Sequence, residues 1–597
     1  MDDAQNLLHK KNKHINSLKL VGLTLSQTLL VRATHLAAHL QLQIVVGRSD
    51  VPHIHSIVAN CRKNRGSIFT CIEKIGHAAG GTFNPKSYTE SEHQLLYLLL
   101  KLGGCTVAKL GHRCLGLPSI STARHHIVTV PLIVSPEALT TQEMLCNLDT
   151  SFPSPQPPPS DGSRGPGFQI MIGMVEGRMQ WDPRSNKILG VCREHSTEYE
   201  LEFKGVEQAE ELHTGLVKNL VHLASEATVA AISSFSDVPI GNITHPFLVA
   251  PTCKREGAAE QWILLEAALN AAKAKAARIG GRPYCFSLDG DNKRHNATIL
   301  FTFICKVDQN GDLFQKLGDL PLFDYHYGLN DLTGNIDIKH ILKHLHNTLI
   351  HLLSSTINGV VLLRELIKQH LLHDSSHSLQ HIDKLLNPND RQNVKLMYDL
   401  LSAIAMLPEA KETNAPAFKN THRILHLLGC LYCHILEVYT NINLSLHEQL
   451  VHISAAMHLM LALYNKEAGQ FVPSQTYFDF MTAGKNLFFC ITKTQLDDPD
   501  GKFWIIQPGS DPLEKTFGQV CTTTGTDSNT DMYQLGSQLT AAVECDNILA
   551  EHPEWASDPR HLKLPVWHEV AGNVSSKIDH ISPRIWVGDV HVKNVSN

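Results

Sequence analysis

The sequence is short of charge, of aromatic residues and of any cysteine arrangement that would staple a fold. Charged residues fill 18% and aromatics 6% of 597 positions, and the net charge of -6 excludes a globally basic nucleic-acid coat. Any such surface must be local. The fourteen cysteines follow no short regular framework, so reduced thiols are expected rather than disulfides. The opening Met1-Asp-Asp-Ala-Gln-Asn6 lacks the basic-then-apolar order of a leader, and the expectation is a nuclear or cytoplasmic chain that is not secreted. Long hydrophobic runs are missing too. The most apolar one, Leu349 to Leu366, is interrupted by His351, Asn358, Arg364 and Glu365, and no membrane partner is expected.

What the chain has in excess is histidine, 36 residues of it. His340, His344, His346 and His351, then His370, His373, His377 and His381, recur at or near one-turn helical spacing, and an i, i+4 pair suits Zn²⁺ or Ni²⁺. A His-rich metal-binding protein is therefore one reading. The alternative, solvated positions once held by Arg, is favoured because no Cys or carboxylate completes a tetrahedral set in these segments. His447-Glu-Gln-Leu-Val-His452 misses a metalloprotease helix by one residue, and Cys430-Leu-Tyr-Cys-His434 lies in an apolar helix and reads as core.

Taken in order, residues 1–48 read as an amphipathic helix suited to self-association, and 49–149 as short helices broken at Gly103-Gly104 and Leu117-Pro-Ser119. The last of these presents Ser121, Thr122, Arg124 and His125 as a helix-turn-helix reader of DNA would, with an ordinary helical bundle as the equal alternative. Residues 150–167 are Pro-rich and extended, a linker. From 168 to 357 strands dominate: Phe168 to Val175, Met179 to Asp182 and Ile188 to Cys192 as a three-strand meander, Pro246 to Pro251, and Tyr284 to Leu288 running into Asp289-Gly-Asp291. Helices are expected from Val206 to Leu223, from Ala227, and from Ala258 to Ala277. Residues 358–500 are helical at period 3.6, although Asn486 to Thr492 and Phe503 to Ile506 fit strand or helix equally. Residues 501–545 return to a final core helix, and 546–597 read as an irregular tail.

This order is that of an RNase H-like core, an α+β and mostly α chain split by a large helical insertion. In such a core three carboxylates converge on two divalent cations: one on the first strand, one at the end of the fourth, one on a late helix. Hard Mg²⁺ or Mn²⁺ prefers oxygen ligands, and the metal pair stabilises the attacking and leaving oxygens of phosphodiester cleavage. Asp289 fits the second position and Glu514 the third. Around Glu514, Pro512 suits a first helical turn and Leu513, Phe517 and Val520 recur at helical spacing. Asp511 with Glu514 is also a capping box, which needs no active site.

With Phe83-Asn-Pro-Lys-Ser-Tyr-Thr-Glu90, Trp181-Asp-Pro-Arg-Ser-Asn186, Gly190-Val-Cys-Arg-Glu-His195, Asp289-Gly-Asp291, Asp331-Leu-Thr333, Asp337-Ile-Lys-His340, Ser510-Asp-Pro-Leu-Glu-Lys-Thr-Phe-Gly518 and Asp579-His-Ile-Ser-Pro583 taken together, the chain resembles P-element/THAP-type DDE transposases, especially the transposase-like proteins of mushroom-forming fungi. The resemblance runs from about Ser17 onward and implies a DDE nuclease core with DNA as partner and Mg²⁺ or Mn²⁺ as cofactor if active, otherwise none. Better-known relatives handle a nucleotide in the insertion, but no Gly-rich phosphate loop occurs between Asn358 and Pro508. Two departures matter. Where relatives carry the first-strand aspartate, this chain reads Ile170-Met-Ile-Gly-Met-Val175, which places Met171 or Gly173 there. Glu176 and Asp182 are substitutes, and Asp337 is an auxiliary ligand or a helix cap. His344 and His346 stand where relatives commonly have Arg, the change that transitions in CpG-containing codons produce. The expectation is a transposase-derived DNA-binding protein with a degenerate, inactive site; an active transposase with a replacement ligand is the alternative.

Overall fold

The structure is a computed structural model and describes residues 2–48, 54–63, 68–79, 88–115, 117–135, 140–152, 164–236, 243–288, 292–350, 355–373, 378–387, 394–411, 413–523, 530–555 and 583–595. Two compact units divide between Val128 and Thr129. The Pro-rich run at 153–163, the Asp289–Asp291 turn, His351 and His377 lie outside the described residues.

The first unit is helical: α1 (Asp2–Arg48), α2 (Ile54–Lys63), α3 (Ile68–Ala79), α4 (Glu90–Cys114) and α5 (Ile120–His126). Thr89 and Glu92 form a reciprocal capping box that starts α4. The expected break at Gly103-Gly104 is a kink inside one helix, where Gly104 takes φ 76°, a left-handed conformation that costs glycine little. Leu96, Leu100, Ala108, Leu117 and Ala123 close α5 onto α4. The apolar side chains of α1 from Leu7 to Leu40 are exposed.

In the second unit α6 (Thr141–Ser151) precedes the sheet and packs on it, so residues 129–149 go with the core rather than with the N-terminal helices. The strands are β1 (Phe168–Glu176), β2 (Gln180–Asp182), β3 (Lys187–Leu189), β4 (Glu226–Ser234), β5 (His245–Thr252), β6 (Pro283–Leu288), β7 (Cys305–Lys306), β8 (His326–Tyr327) and β9 (Thr333–Ile336). Five of them form one sheet in the order β5-β4-β1-β6-β9, with β4 antiparallel to its neighbours and β6 and β9 parallel to β1. This is the RNase H-like arrangement. Two expectations are corrected. β2 and β3 pair with each other and not with β1, so there is no three-strand meander. Residues from Ala227 form a strand, because the alanine-rich Glu226–Ser234 segment is buried on both faces between β5 and β1, where β-sheet pairing overrides helix propensity.

Between the strands lie α7 (Val206–Val217), α8 (Ala258–Ala274), α9 (Ala276–Ile279), α10 (Asn292–Thr302) and α11 (Asp312–Leu317). After β9 the insertion begins with α12 (Ile338–Ile350), a small hairpin of β10 (Thr356–Ile357) and β11 (Val360–Val361), then α13 (Arg364–His373), α14 (Leu379–Leu385), α15 (Val394–Ala405), α16 (Pro416–Thr440), α17 (Leu446–Glu467) and α18 (Ser474–Asp497). Asn486 to Thr492 is thus helix, inside α18. The chain returns to the sheet as α19 (Asp511–Thr523) and α20 (Met532–Glu551).

Residues alternate along β1. Phe168, Ile170 and Ile172 join the core shared with α6, α8 and the insertion, whereas Met171 and Val175 pack with Leu513, Phe517 and Val520 of α19 and Met532, Leu535 and Leu539 of α20. The tail is less irregular than its composition suggests. α20 continues to Glu551, and residues 583–595 dock on the insertion and the segment after it: Leu446 N–H donates to Asp589 O at 2.7 Å, Phe503 N–H to Val590 O and Val592 N–H to Gly501 O, both at 3.0 Å, and Val592 is buried.

Candidate active site

The carboxylates gather at the C-terminal edge of the parallel strands. Asp337 follows β9 directly, its N–H 3.4 Å from Leu288 O at the end of β6, and Leu288 is paired with Ile336. Asp337 is buried. Its Oδ1 accepts from Lys339 N–H at 2.8 Å and its Oδ2 from Ser510 N–H at 2.9 Å, so one aspartate both opens α12 and receives the segment leading into α19. The neighbouring Gly509 is required by close approach: a Cβ there would sit 2.6 Å from Asp337 Oδ2.

Ser510 O accepts from Leu513 and Glu514 N–H groups, which makes Ser510 the residue that starts α19. The capping box expected between Asp511 and Glu514 is not formed. Asp511 instead pairs with Lys339, and Glu514 Oε1 lies 3.2 Å from His340 Nε2 and 3.4 Å from Ser510 Oγ. Both carboxylates are drawn across to α12. The His340 hydrogen bond holds the Glu514 carboxyl below its usual range, helped by Lys339 and Ser510. Asp337 moves the other way, to about 6, through burial and then the nearby charges of Asp511 and Glu514.

That shift makes a pH prediction. A folded pKa of about 6 against the ordinary aspartate value of 3.8 means that the folded chain holds this proton more tightly than the unfolded one. The contribution to stability is complete below the unfolded pKa and is lost as pH rises through the folded pKa, up to about 3 kcal/mol. Asp337→Asn, which keeps a neutral side chain at every pH, is expected to stay near the wild type at about pH 3 and to gain on it by up to about 3 kcal/mol above about pH 7, roughly one unit beyond each side of the window. Thermal melts of both proteins across that range measure it; parallel curves would contradict it.

Behind the carboxylates runs a polar row that sequence reasoning missed. Asn335 on β9 donates to Ser287 Oγ on β6 at 3.2 Å, Ser287 donates to Gln169 Oε1 on β1 at 2.6 Å, and Gln169 Oε1 also accepts Gly509 N–H at 3.0 Å while its Nε2 donates to Gln507 O at 2.9 Å. All three side chains are buried. The row fastens residues 507–510, and therefore the start of α19, to three strands. The signal was a polar residue inside each strand, Gln169 in β1, Ser287 in β6 and Asn335 in β9.

The first-strand position is closed. Ile172 pairs with Leu288, the last residue of β6, and Gly173 follows it on β1; Asp289 lies outside the described residues. A Cβ on Gly173 would meet Phe517 Cε2 at 2.9 Å and Leu513 Cδ2 at 3.1 Å, and Met171 is wholly buried in the same apolar cluster. The substitutes do not fill the gap. Asp182 is fixed in the β2–β3 turn, accepting from Arg184 N–H at 3.0 Å and Ser185 Oγ at 2.8 Å, and Glu176 is exposed at the end of β1, opposite Glu226. Among the described residues no three oxygens of Asp337, Asp511 and Glu514 lie within 4.8 Å of one another.

The histidine series disperses. His340 serves Glu514, His370 Nδ1 lies 3.0 Å from His422 Nδ1, and His373 reaches Asn414. Among the described residues the one converging group of His, Cys, Asp or Glu lies elsewhere, at Cys192, His195 and Cys253. In the first unit Ser121, Thr122, Arg124 and His125 are exposed on α5, whose N-terminus is capped by Ser119 Oγ accepting from Thr122 N–H at 3.1 Å.

The split core with its late helix returning to β1 has a counterpart among solved structures. The fold is similar to that of a Drosophila P element transposase. The match, to the Drosophila P element transposase strand transfer complex, covers 81% of this chain and 96% of that chain at a TM-score of 0.51 and 12% identity. No protein-family model and no curated protein matches the sequence. The P element transposase likeness is thus one of fold. No helix among the described residues is long and apolar enough to cross a membrane.

Proposed function

We propose that this chain is a transposase-derived, DNA-binding protein of the nucleus whose DDE nuclease site is degenerate, related to the transposase-like proteins of mushroom-forming fungi. The observation that supports the reading is the covering of Gly173 by Phe517 and Leu513, Gly173 being, with Met171, one of the two positions where the resemblance puts the first carboxylate. Asp289 and Glu514 are the remnants of the ligand set, and Mg²⁺ or Mn²⁺ binds there weakly if at all, because two oxygen donors without the first-strand carboxylate leave a pair of hard cations undercoordinated. The fold likeness to a transposase supports the ancestry.

Purified protein incubated with DNA and Mg²⁺ or Mn²⁺ is expected to cut no more than Glu514→Ala does. Cleavage that disappears in Glu514→Ala would replace this reading with an active transposase. DNA binding is assigned to α5, with Arg124 as its exposed cation and Ser121, Thr122 and His125 beside it. Arg124→Ala should weaken duplex binding and reduce the slope of log affinity against log salt by about 1. An unchanged slope in fluorescence anisotropy would remove α5 from the interface. Self-association through the exposed apolar residues of α1 belongs to the same proposal and is read by light scattering of a chain lacking residues 1–48.

A further inference from the structure

Cys192, His195, His222 and Cys253 come from three places in the sequence and meet at one end of the sheet. Cys192 and His195 flank the single turn after β3, His222 precedes β4, and Cys253 follows β5. Cys192 Sγ is 3.3 Å from His195 Nδ1, and Cys253 Sγ is 3.5 Å from both His195 Nδ1 and His222 Nδ1. The ligand atoms of Cys192, His195 and Cys253 all lie within 4.8 Å of one another, and the His195 and His222 rings are 4.2 Å apart. With Zn–S near 2.3 Å and Zn–N near 2.0 Å, the edge between sulfur and nitrogen in a tetrahedral site is about 3.5 Å. The observed spacings are those of such an edge.

We propose that Cys192, His195, Cys253 and His222 form a structural Zn²⁺ site. Two thiolates and two neutral imidazoles are the soft and borderline donors that zinc prefers, and they leave no open position for a substrate. Binding releases the two thiol protons, so the dication and the thiolates neutralise each other. Without a cation the buried Cys192 thiol is pushed up to about 12 and donates to Glu256 Oε1 at 3.6 Å; Glu256 keeps the Thr252 hydroxyl when that bond is lost. His222 Nε2 faces Arg255 Nη1 at 3.2 Å. Once Nδ1 holds the metal, Nε2 carries a proton, and the exposed Arg255 side chain turns into solvent.

The site lies where a small lobe meets the sheet. Val191, Leu201, Leu212 and Val221 form a small separate core beneath the β2–β3 hairpin and α7. It is tied to the sheet by Cys192 N–H to His222 O at 2.8 Å and Ala224 N–H to Gly190 O at 3.0 Å. Zinc would add a cross-link from that lobe to edge strand β5. The next residue, Lys254, has φ 63°, a left-handed conformation unusual for lysine, and its carbonyl accepts from Lys293 Nζ of α10 at 2.8 Å. The same loop therefore reaches the helix that follows β6.

Full-length protein purified without a tag, in zinc-supplemented medium, is expected to carry about one zinc per chain by elemental analysis. The content should fall roughly tenfold or more in Cys192→Ser, Cys253→Ser and His195→Ala, and remain in Cys105→Ser and Glu514→Ala, whose side chains lie outside the cluster. Refilling the chelated wild type with Co²⁺ should give the visible bands of a tetrahedral thiolate site, a readout that does not depend on any variant folding. A metal-free wild type that also gives no such bands, zinc unchanged by Cys192→Ser and Cys253→Ser, or a Cys192–Cys253 disulfide found by mass spectrometry would each overturn the proposal. Zinc retained in His222→Ala would overturn the fourth assignment.

Discussion

Replacing Asp497 by Ala is expected to destabilise the 129–597 unit by roughly 3–5 kcal/mol, the range seen when one partner of a buried ion pair is removed. Asp497 ends α18, and its side chain is 2% exposed. One oxygen takes the Tyr284 hydroxyl at 3.0 Å and the Arg282 guanidinium, and the other takes Arg164 Nη1 at 3.4 Å. The backbone adds Arg164 N–H to Asp497 O at 2.9 Å. This one carboxylate ties the last helix of the insertion to the entries of β1 and β6. Its removal leaves the buried Tyr284 hydroxyl and the mostly buried Arg282 charge without their partner, and Asp331, 3.4 Å from Arg282, is too exposed to replace it. Asp497→Asn keeps an acceptor and should cost less than half as much. Urea unfolding of the two variants decides it: equal midpoints for Ala and Asn would show that charge pairing carries little here.

Gly173→Asp, the substitution that restores the missing carboxylate in sequence, is expected to fail in two ways. It should destabilise the unit by about 3 kcal/mol or more, because a charge enters an apolar cluster without a partner. It should also leave DNA uncut. The Cβ would already press on Phe517 and Leu513, and its carboxylate would be directed at their side chains rather than toward Glu514, which faces His340 on α12. Phe517→Ala in the same chain makes room and should recover part of the lost stability. Metal-dependent cleavage by Gly173→Asp alone would show that the site is one residue from function and that α19 shifts readily.

Much of the frame was legible in the sequence because it rests on local periodicity. Leu513, Phe517 and Val520 predicted the buried face of α19, and the apolar runs at 168, 246 and 284 are β1, β5 and β6. β4 was hidden by its alanines, which favour helix locally and are tolerated in a central strand by burial on both faces. Asp511 and Glu514 fitted a local cap, and only the approach of α12, some 170 residues earlier in sequence, takes both carboxylates away from the helix end. Gln169, Ser287 and Asn335 each read as an isolated polar residue until the parallel register aligns them. The zinc ligands were half visible as Cys192-x-x-His195; His222 and Cys253 join them only through strand pairing at the sheet edge.

The apolar face of β1 that α19 covers also sets a schedule for synthesis. Met171 and Val175, with Val229 beside them, wait for Leu513 and Phe517 until the whole insertion has been made. At ~5–20 residues per second, the roughly 340 residues between β1 and α19 take about twenty seconds to a minute to emerge. Only the last part of that interval, from the end of β9 onward, has all five strands in hand, and until α19 emerges the sheet lacks the cover that Leu513, Phe517 and Val520 give to Met171 and Val175.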